Sequence, residues 1–173
     1  MKHIPLLVST GLLLLASCGT SKEQNNGVAS TADTVNKTDT VAVNTQMTAR
    51  MSMKPVIETG DSLELRFTVY NRSVKPQSFC KWHTPFEPPM SKYLDIKDDQ
   101  GVEARYQGAM AKRIMPPPAD SYIEIKPGDS LSVMVNISKT YLLDRPGTYV
   151  VSYNAQEISG LVVKDSITFI YNK

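Results

Sequence analysis

Leu63-Glu64-Leu65-Arg66-Phe67-Thr68-Val69-Tyr70 decides the fold class. Leu63, Leu65, Phe67 and Val69 alternate with Glu64, Arg66, Thr68 and Tyr70. A period of two puts the four apolar side chains on one face of a strand and turns the other face outward. Gly60-Asp61 before the stretch and Asn71-Arg72-Ser73 after it supply turn chemistry. The same alternation recurs outward along the chain. Leu94 and Ile96 make a short run, and Ile123 and Ile125 lead into the turn Pro127-Gly128-Asp129. Leu131, Val133, Val135 and Ile137 are expected to line the next inner face. Beyond Pro146-Gly147 come Tyr149, Val151 and Tyr153, then Ile167, Phe169 and Tyr171, and residues 46–57 read as a first strand. No stretch of twelve residues carries a helical period. Roughly seven to nine short strands with Gly, Pro and Asp punctuation predict an all-β, antiparallel β-sandwich.

The beginning of the chain reads differently. Lys2 and His3 precede an uncharged apolar run, 4–16, too short to span a bilayer as a mature helix. It ends in Leu15-Ala16-Ser17-Cys18, which resembles the lipobox of bacterial lipoproteins. The resemblance implies that 1–17 is a cleaved signal peptide. It further implies that Cys18 is acylated and that the chain is held in a membrane of the bacterial envelope, expected to be the outer membrane. Residues 18–46 are rich in Thr, Asn, Ser, Ala and Asp and hold no aromatic side chain, too little apolar surface to offset the entropy of ordering. They are expected to be a flexible tether that reaches about 30 Å. The sandwich is then 47–173. Removing 1–17 takes away only Lys2 among the charges and leaves 18 basic against 17 acidic side chains. That balance gives no field for nucleic acid, and a monomer is expected.

Few residues carry reactive chemistry. The mature chain has one histidine, His83, and no H-E-x-x-H, G-x-S-x-G, phosphate-binding glycine loop or paired CxxC. With Cys18 acylated, Cys80 has no partner for an internal disulfide and is expected to be a buried, inert thiol. A Cys80–His83 nucleophile pair needs hydrogen-bond reach, yet residues three apart on a strand point to opposite faces. No enzyme, catalytic residue, resident metal or cofactor is expected. A lower alternative is Cu(I) handling by Cys80 and His83 with Met90, Met110 and Met115, since thiolate, imidazole and thioether suit that ion.

Two stretches resemble known families. Asp144-Arg145-Pro146-Gly147-Thr148-Tyr149-Val150-Val151 resembles the tyrosine corner of immunoglobulin-like domains, with Val151 where antibody domains place a cysteine and Asp144 one residue further from the tyrosine than usual. The second is Phe79-Cys80-Lys81-Trp82-His83-Thr84-Pro85-Phe86-Glu87, which follows Val69-Tyr70-Asn71-Arg72-Ser73. After it come Tyr106-Gln107-Gly108-Ala109-Met110-Ala111-Lys112-Arg113, Ile125-Lys126-Pro127-Gly128-Asp129-Ser130, and Tyr141 with Gly147-Thr148-Tyr149. In that order they look like the β-sandwich propeptide module of deuterolysin-like and peptidyl-Lys metalloendopeptidases. That module usually has Asn where this chain has His83, and Gly where it has Pro88, and no protease domain is expected here. The resemblance implies a face that packs on an exported protease through Trp82, Thr84, Pro85, Phe86 and Glu87. His83 sits among them and would make the contact pH-dependent. The same stretch also reads as a structural corner whose aromatics plug the end of the sandwich. An alternative function is a surface or structural lipoprotein that binds a glycan or another envelope protein. Asp33-Thr34-Val35 and Asp39-Thr40-Val41 resemble the O-glycan acceptor of Bacteroidota, which makes Thr34 and Thr40 candidate glycosylation sites. Ser62, Ser130 and Ser166 sit in similar triplets at strand starts.

Overall fold

The structure, a computed structural model, describes residues 46–172. The expected signal segment, Cys18, Thr34, Thr40 and nearly all of the expected tether lie outside them. Eleven strands are present among the described residues: β1 (Thr48–Ser52), β2 (Val56–Ile57), β3 (Glu64–Tyr70), β4 (Gln77–Cys80), β5 (Leu94–Asp98), β6 (Arg105–Tyr106), β7 (Tyr122–Ile125), β8 (Ser130–Asn136), β9 (Tyr141–Leu142), β10 (Gly147–Tyr153) and β11 (Ile167–Tyr171). Three of these have two residues each, so eight longer strands fall within the expected seven to nine. One α-helical turn, α1 (Gln156–Ser159), precedes β11.

Two sheets form the sandwich. One has the order β1-β3-β8, antiparallel throughout, and the other β2-β11-β10-β5, in which only β2 and β11 run parallel. Their inner faces share one apolar cluster. Leu65, Phe67 and Val69 of β3 are completely buried with Ile96 and Val151 of the other sheet, and the Phe67 ring meets that of Tyr153 at 5.4 Å. Each large side chain so buried contributes about 1.5–3 kcal/mol. The alternation read in 63–70 is therefore what the core uses.

The first strand departs from expectation. Met53, Lys54 and Pro55 interrupt it, and the chain changes sheets there, so β1 pairs with β3 and β2 with β11. Pro55 has no N–H to give a ladder, but its carbonyl accepts from the Ile170 N–H at 2.8 Å. The inner face read in β8 is also only half right. Ile137 is buried, but Val133 and Val135 are partly covered and Leu131 is 38% exposed. The cause is position: β8 lies at the end of its sheet, where no further strand covers its flank.

β4 and β7 pair with each other and carry the β3–β8 ladder onward. Between the two ladders stands Asn71, 2% exposed. Its side-chain amide donates to the carbonyls of Lys75, Ile125 and Lys126 at 2.8, 2.9 and 3.2 Å. Its oxygen accepts from the Ser73 N–H and hydroxyl at 3.0 and 2.7 Å. An amide can serve as donor and acceptor at once, so one side chain satisfies a buried turn that breaks the ladder. The tyrosine corner is present: the Tyr149 hydroxyl donates to the Arg145 carbonyl at 2.8 Å. Its ring stacks on Phe169 at 5.6 Å, and Val151 fills the position beside it.

Candidate functional site

The stretch 82–87 leaves β4 and turns at one end of the sandwich. The Lys81 N–H donates to the Ser121 carbonyl, and the Lys81 carbonyl accepts from the Thr84 hydroxyl at 2.6 Å. The Thr84 oxygen in turn accepts from the Phe86 N–H at 3.1 Å. Thr84 is completely buried because its hydroxyl replaces water for both backbone groups. His83 has φ 56°. This left-handed region costs most side chains about 1–2 kcal/mol and is least unfavourable for Asn, Asp and His. An Asn would meet the same backbone requirement. The His83 carbonyl accepts from the Tyr153 hydroxyl at 3.0 Å. Burial holds the imidazole's pKa below its ordinary value, against the opposing pull of Glu87.

Phe86 points inward. Its ring meets Phe79 at 5.2 Å and Phe67 at 6.3 Å. Trp82 is 8% exposed. The Glu87 side chain is 4% exposed and accepts three hydrogen bonds over its two oxygens, one of them from a cation. Oε1 takes the His83 N–H at 2.8 Å and the Ser91 hydroxyl at 3.1 Å, while Oε2 takes Arg113 Nη2 at 2.6 Å. The same guanidinium lies over the Trp82 ring, 4.7 Å from its centroid. Such a cation above a tryptophan face is attracted by the ring quadrupole. Trp82, Glu87 and Arg113 thus form one node, and the sequence motifs around 79–87 and 106–113 meet in it. Tyr106 and Gly108 explain the rest of the second motif. The Tyr106 ring folds back over Gly108, where a Cβ would collide with it, and its hydroxyl donates to the Ala109 carbonyl at 2.9 Å.

The large anchors expected to meet a partner, Trp82 and Phe86, therefore face the core side of this corner, and Glu87 is committed to Arg113. What faces outward lies beside them. Pro88, Pro89 and Met90 are exposed, and Met110, Ile114 and Met115 are 70, 84 and 66% exposed. The Ala109 and Ala111 N–H groups donate to the Pro89 and Met90 carbonyls at 3.2 and 2.8 Å, which ties the two segments together. An apolar ledge thus rests on a buried ionic node. Arg113 was legible as part of a motif but not as the partner of Glu87, Tyr153 was legible only as a strand residue, and Ser91 gave no local signal.

Cys80 ends β4 and is 2% exposed, and burial pushes its thiol up. Met90, Met110 and Met115 are exposed where Cys80 is buried, so the structure does not present the five copper-reading residues alike. Among the described residues no three His, Cys, Asp or Glu side chains gather. Ser62, Ser130 and Ser166 are exposed.

A two-sheet sandwich with a tyrosine corner and a polar node closing one end defines a β-sandwich domain of the immunoglobulin type. The chain belongs to the immunoglobulin-like domain family, whose model matches residues 33–155, more than half of its length. It is 28% identical over 132 residues to an uncharacterized secreted protein of Arthroderma benhamiae, covering 63% of this chain and 67% of that one. It is 31% identical over 93 residues to an extracellular protease of Aeromonas hydrophila, covering 54% of this chain but 26% of the protease. The chain thus spans about a quarter of that protease's length.

Proposed function

We propose that this chain is a non-enzymatic lipoprotein of the bacterial envelope, anchored through Cys18, whose sandwich binds a protein partner of the exported-protease class. The observation that carries this reading is the apolar ledge of Met90, Met110, Ile114 and Met115, held by prolines and by the Glu87–Arg113–Trp82 node. Clustered exposed apolar groups mark interaction surfaces. A backbone stiffened by Pro88, Pro89, Pro116, Pro117 and Pro118 loses little freedom on binding. Beneath the ledge Glu87 is held by His83, Ser91 and Arg113, and of the guanidinium only Nε is left without a partner among the described residues, which suits support of a surface better than turnover of a substrate. The similarity to part of an extracellular protease supports the partner class, and the similarity to a secreted protein supports export.

The test pairs binding with inhibition. Secreted metalloproteases are titrated with the purified protein and with Ile114→Glu and Met110→Glu variants. Binding is expected for the native chain, with a loss of about 2 kcal/mol or more in the variants and unchanged melting. No affinity for any secreted protease overturns the partner class. Metabolic labelling with a fatty-acid analogue tests the anchor: label is expected in the native protein and lost in Cys18→Ser.

A further inference from the structure

The two sheets leave four edges, and they are finished very differently. β5 is covered by the chain that returns behind it, where the Asp98 N–H donates to the Val102 carbonyl at 2.9 Å and the Ala104 N–H to the Ile96 carbonyl at 2.8 Å. β1 is closed by Val162, whose carbonyl accepts from the Ala49 N–H and whose N–H reaches the Met47 carbonyl. β2 is two residues long. β8 is seven residues long, and among the described residues its backbone pairs only with β3. Its sequence, Ser130-Leu131-Ser132-Val133-Met134-Val135-Asn136, holds no charge and no proline. Proteins ordinarily blunt a long edge with Lys, Pro, a bulge or a cover, and among the described residues β8 has none of these.

The register tells which groups are open. The Ile137 N–H donates to the Leu63 carbonyl at one end of the strand, and the Asp129 carbonyl accepts from the Asn71 N–H at the other. Bonded and unbonded pairs alternate along an antiparallel ladder. Residues 131, 133 and 135 therefore exchange bonds with β3, while Ser130, Ser132, Met134 and Asn136 turn N–H and C=O away from it. On the core side of the same strand Leu131 is 38% exposed and Val133 and Val135 are half-buried. Backbone and core are both left open along one line.

We infer that this edge takes β8 of a second copy of the chain, antiparallel about a two-fold axis through Val133, to give a continuous six-stranded sheet. Laid centre on centre, Ser130 faces Asn136, Leu131 faces Val135, Ser132 faces Met134, and Val133 faces itself. Open backbone groups then meet open backbone groups along the whole strand. Leu131, Val133 and Val135 of both copies fall on the core face and cover one another. With no charge on the strand, nothing repels at the axis. A foreign extended segment would satisfy the same backbone; the match of length, parity and face to itself selects the second copy. One strand pair is a small interface beside the roughly 1,200 Å² of stable complexes, so the dimer is concentration-dependent. This inference is independent of the protease reading and of the ledge.

Sedimentation of the purified full chain over a wide range of concentration tests it. A reversible monomer–dimer equilibrium is expected. Met134→Lys, at a side chain already 46% exposed, occurs twice in the dimer and is expected to weaken association about tenfold or more without changing the melting temperature. Val133→Cys is expected to give a disulfide dimer under mild oxidation, because an unbonded antiparallel pair sets Cα atoms about 4.5 Å apart. Leu131→Cys and Val135→Cys, which face each other and not themselves, cross-link far less, and the native chain not at all. A chain that stays monomeric at every concentration overturns the inference. So does a dimer that survives Met134→Lys, cross-linking equal at 131, 133 and 135, or exchange protection of the Ser132 and Met134 amides in the dilute monomer.

Discussion

Arg113→Met is the perturbation that weighs most on the corner at 82–87. It removes the cation paired with Glu87 among the described residues, and the charge above Trp82, while keeping most of the side-chain volume. The Glu87 carboxylate, 4% exposed, is left with two neutral donors, the His83 N–H and the Ser91 hydroxyl. Breaking a buried pair from one side costs about 3–5 kcal/mol, because the remaining charge stays desolvated. The Arg113 side chain is 19% exposed, so water takes up part of that charge and the lower end, about 3 kcal/mol, is expected. The lost cation–π contact is included in that figure. For a domain of this size the melting temperature should fall by about 10 °C. Glu87→Gln keeps an oxygen for His83 and Ser91 and should cost about 2 kcal/mol through the unpaired guanidinium. The decisive variant is the double, Glu87→Gln with Arg113→Met. It buries no charge, so it should be more stable than Arg113→Met alone, losing about 2 kcal/mol in all, which is a coupling of about 3 kcal/mol. Denaturant unfolding of the four proteins closes the cycle. Additive losses, or a cost below about 1 kcal/mol for Arg113→Met, would show a pair screened by solvent as surface pairs are and would refute the node.

Three further outcomes are expected. Asn71→Asp should cost about 4 kcal/mol or prevent folding, since a carboxylate cannot donate to the three carbonyls that Asn71 now satisfies; urea unfolding beside Asn71→Ala measures it. His83→Asn should be neutral at pH 7 and His83→Val should lose about 1–2 kcal/mol, because a β-branched residue is strained at φ 56°. With the folded pKa of His83 held low by burial, the unfolded chain protonates first, so stability falls as pH drops below about 6.5, and His83→Asn should flatten that part of the pH–stability curve. At the alkaline end, burial raises Tyr93 and Tyr153 and pushes Tyr141 up to about 12. The unfolded tyrosines ionise first above about pH 10, so stability should drop by about 1.4 kcal/mol per pH unit for each of the three, seen as cooperative unfolding followed by tyrosinate absorbance.

The strands of the sandwich were legible because their signal is local. Leu63, Leu65, Phe67 and Val69 alternate within eight residues, and a pleated strand needs no other information to put them on one face. Tyr149 could be read as a corner for the same reason, since its hydroxyl reaches Arg145 only four residues back. The all-β class, the punctuation at Pro127-Gly128 and the burial of Cys80 followed from such short-range pattern. The tertiary structure decided what depends on the return of the chain. Arg113 meets Glu87 across 26 residues, and Asn71 reaches Ile125 and Lys126 across more than fifty. Neither pairing leaves a trace in the spacing. Trp82 and Phe86 carry the same letters whether they face a partner or the core, and only packing against Phe67, Phe79 and Arg113 turned them inward. β8 shows this most plainly: its alternation is as regular as that of β3, yet Leu131 is exposed and Val69 is not. A strand's own sequence sets which side chains share a face, but the neighbours that fold beside it set whether that face is covered.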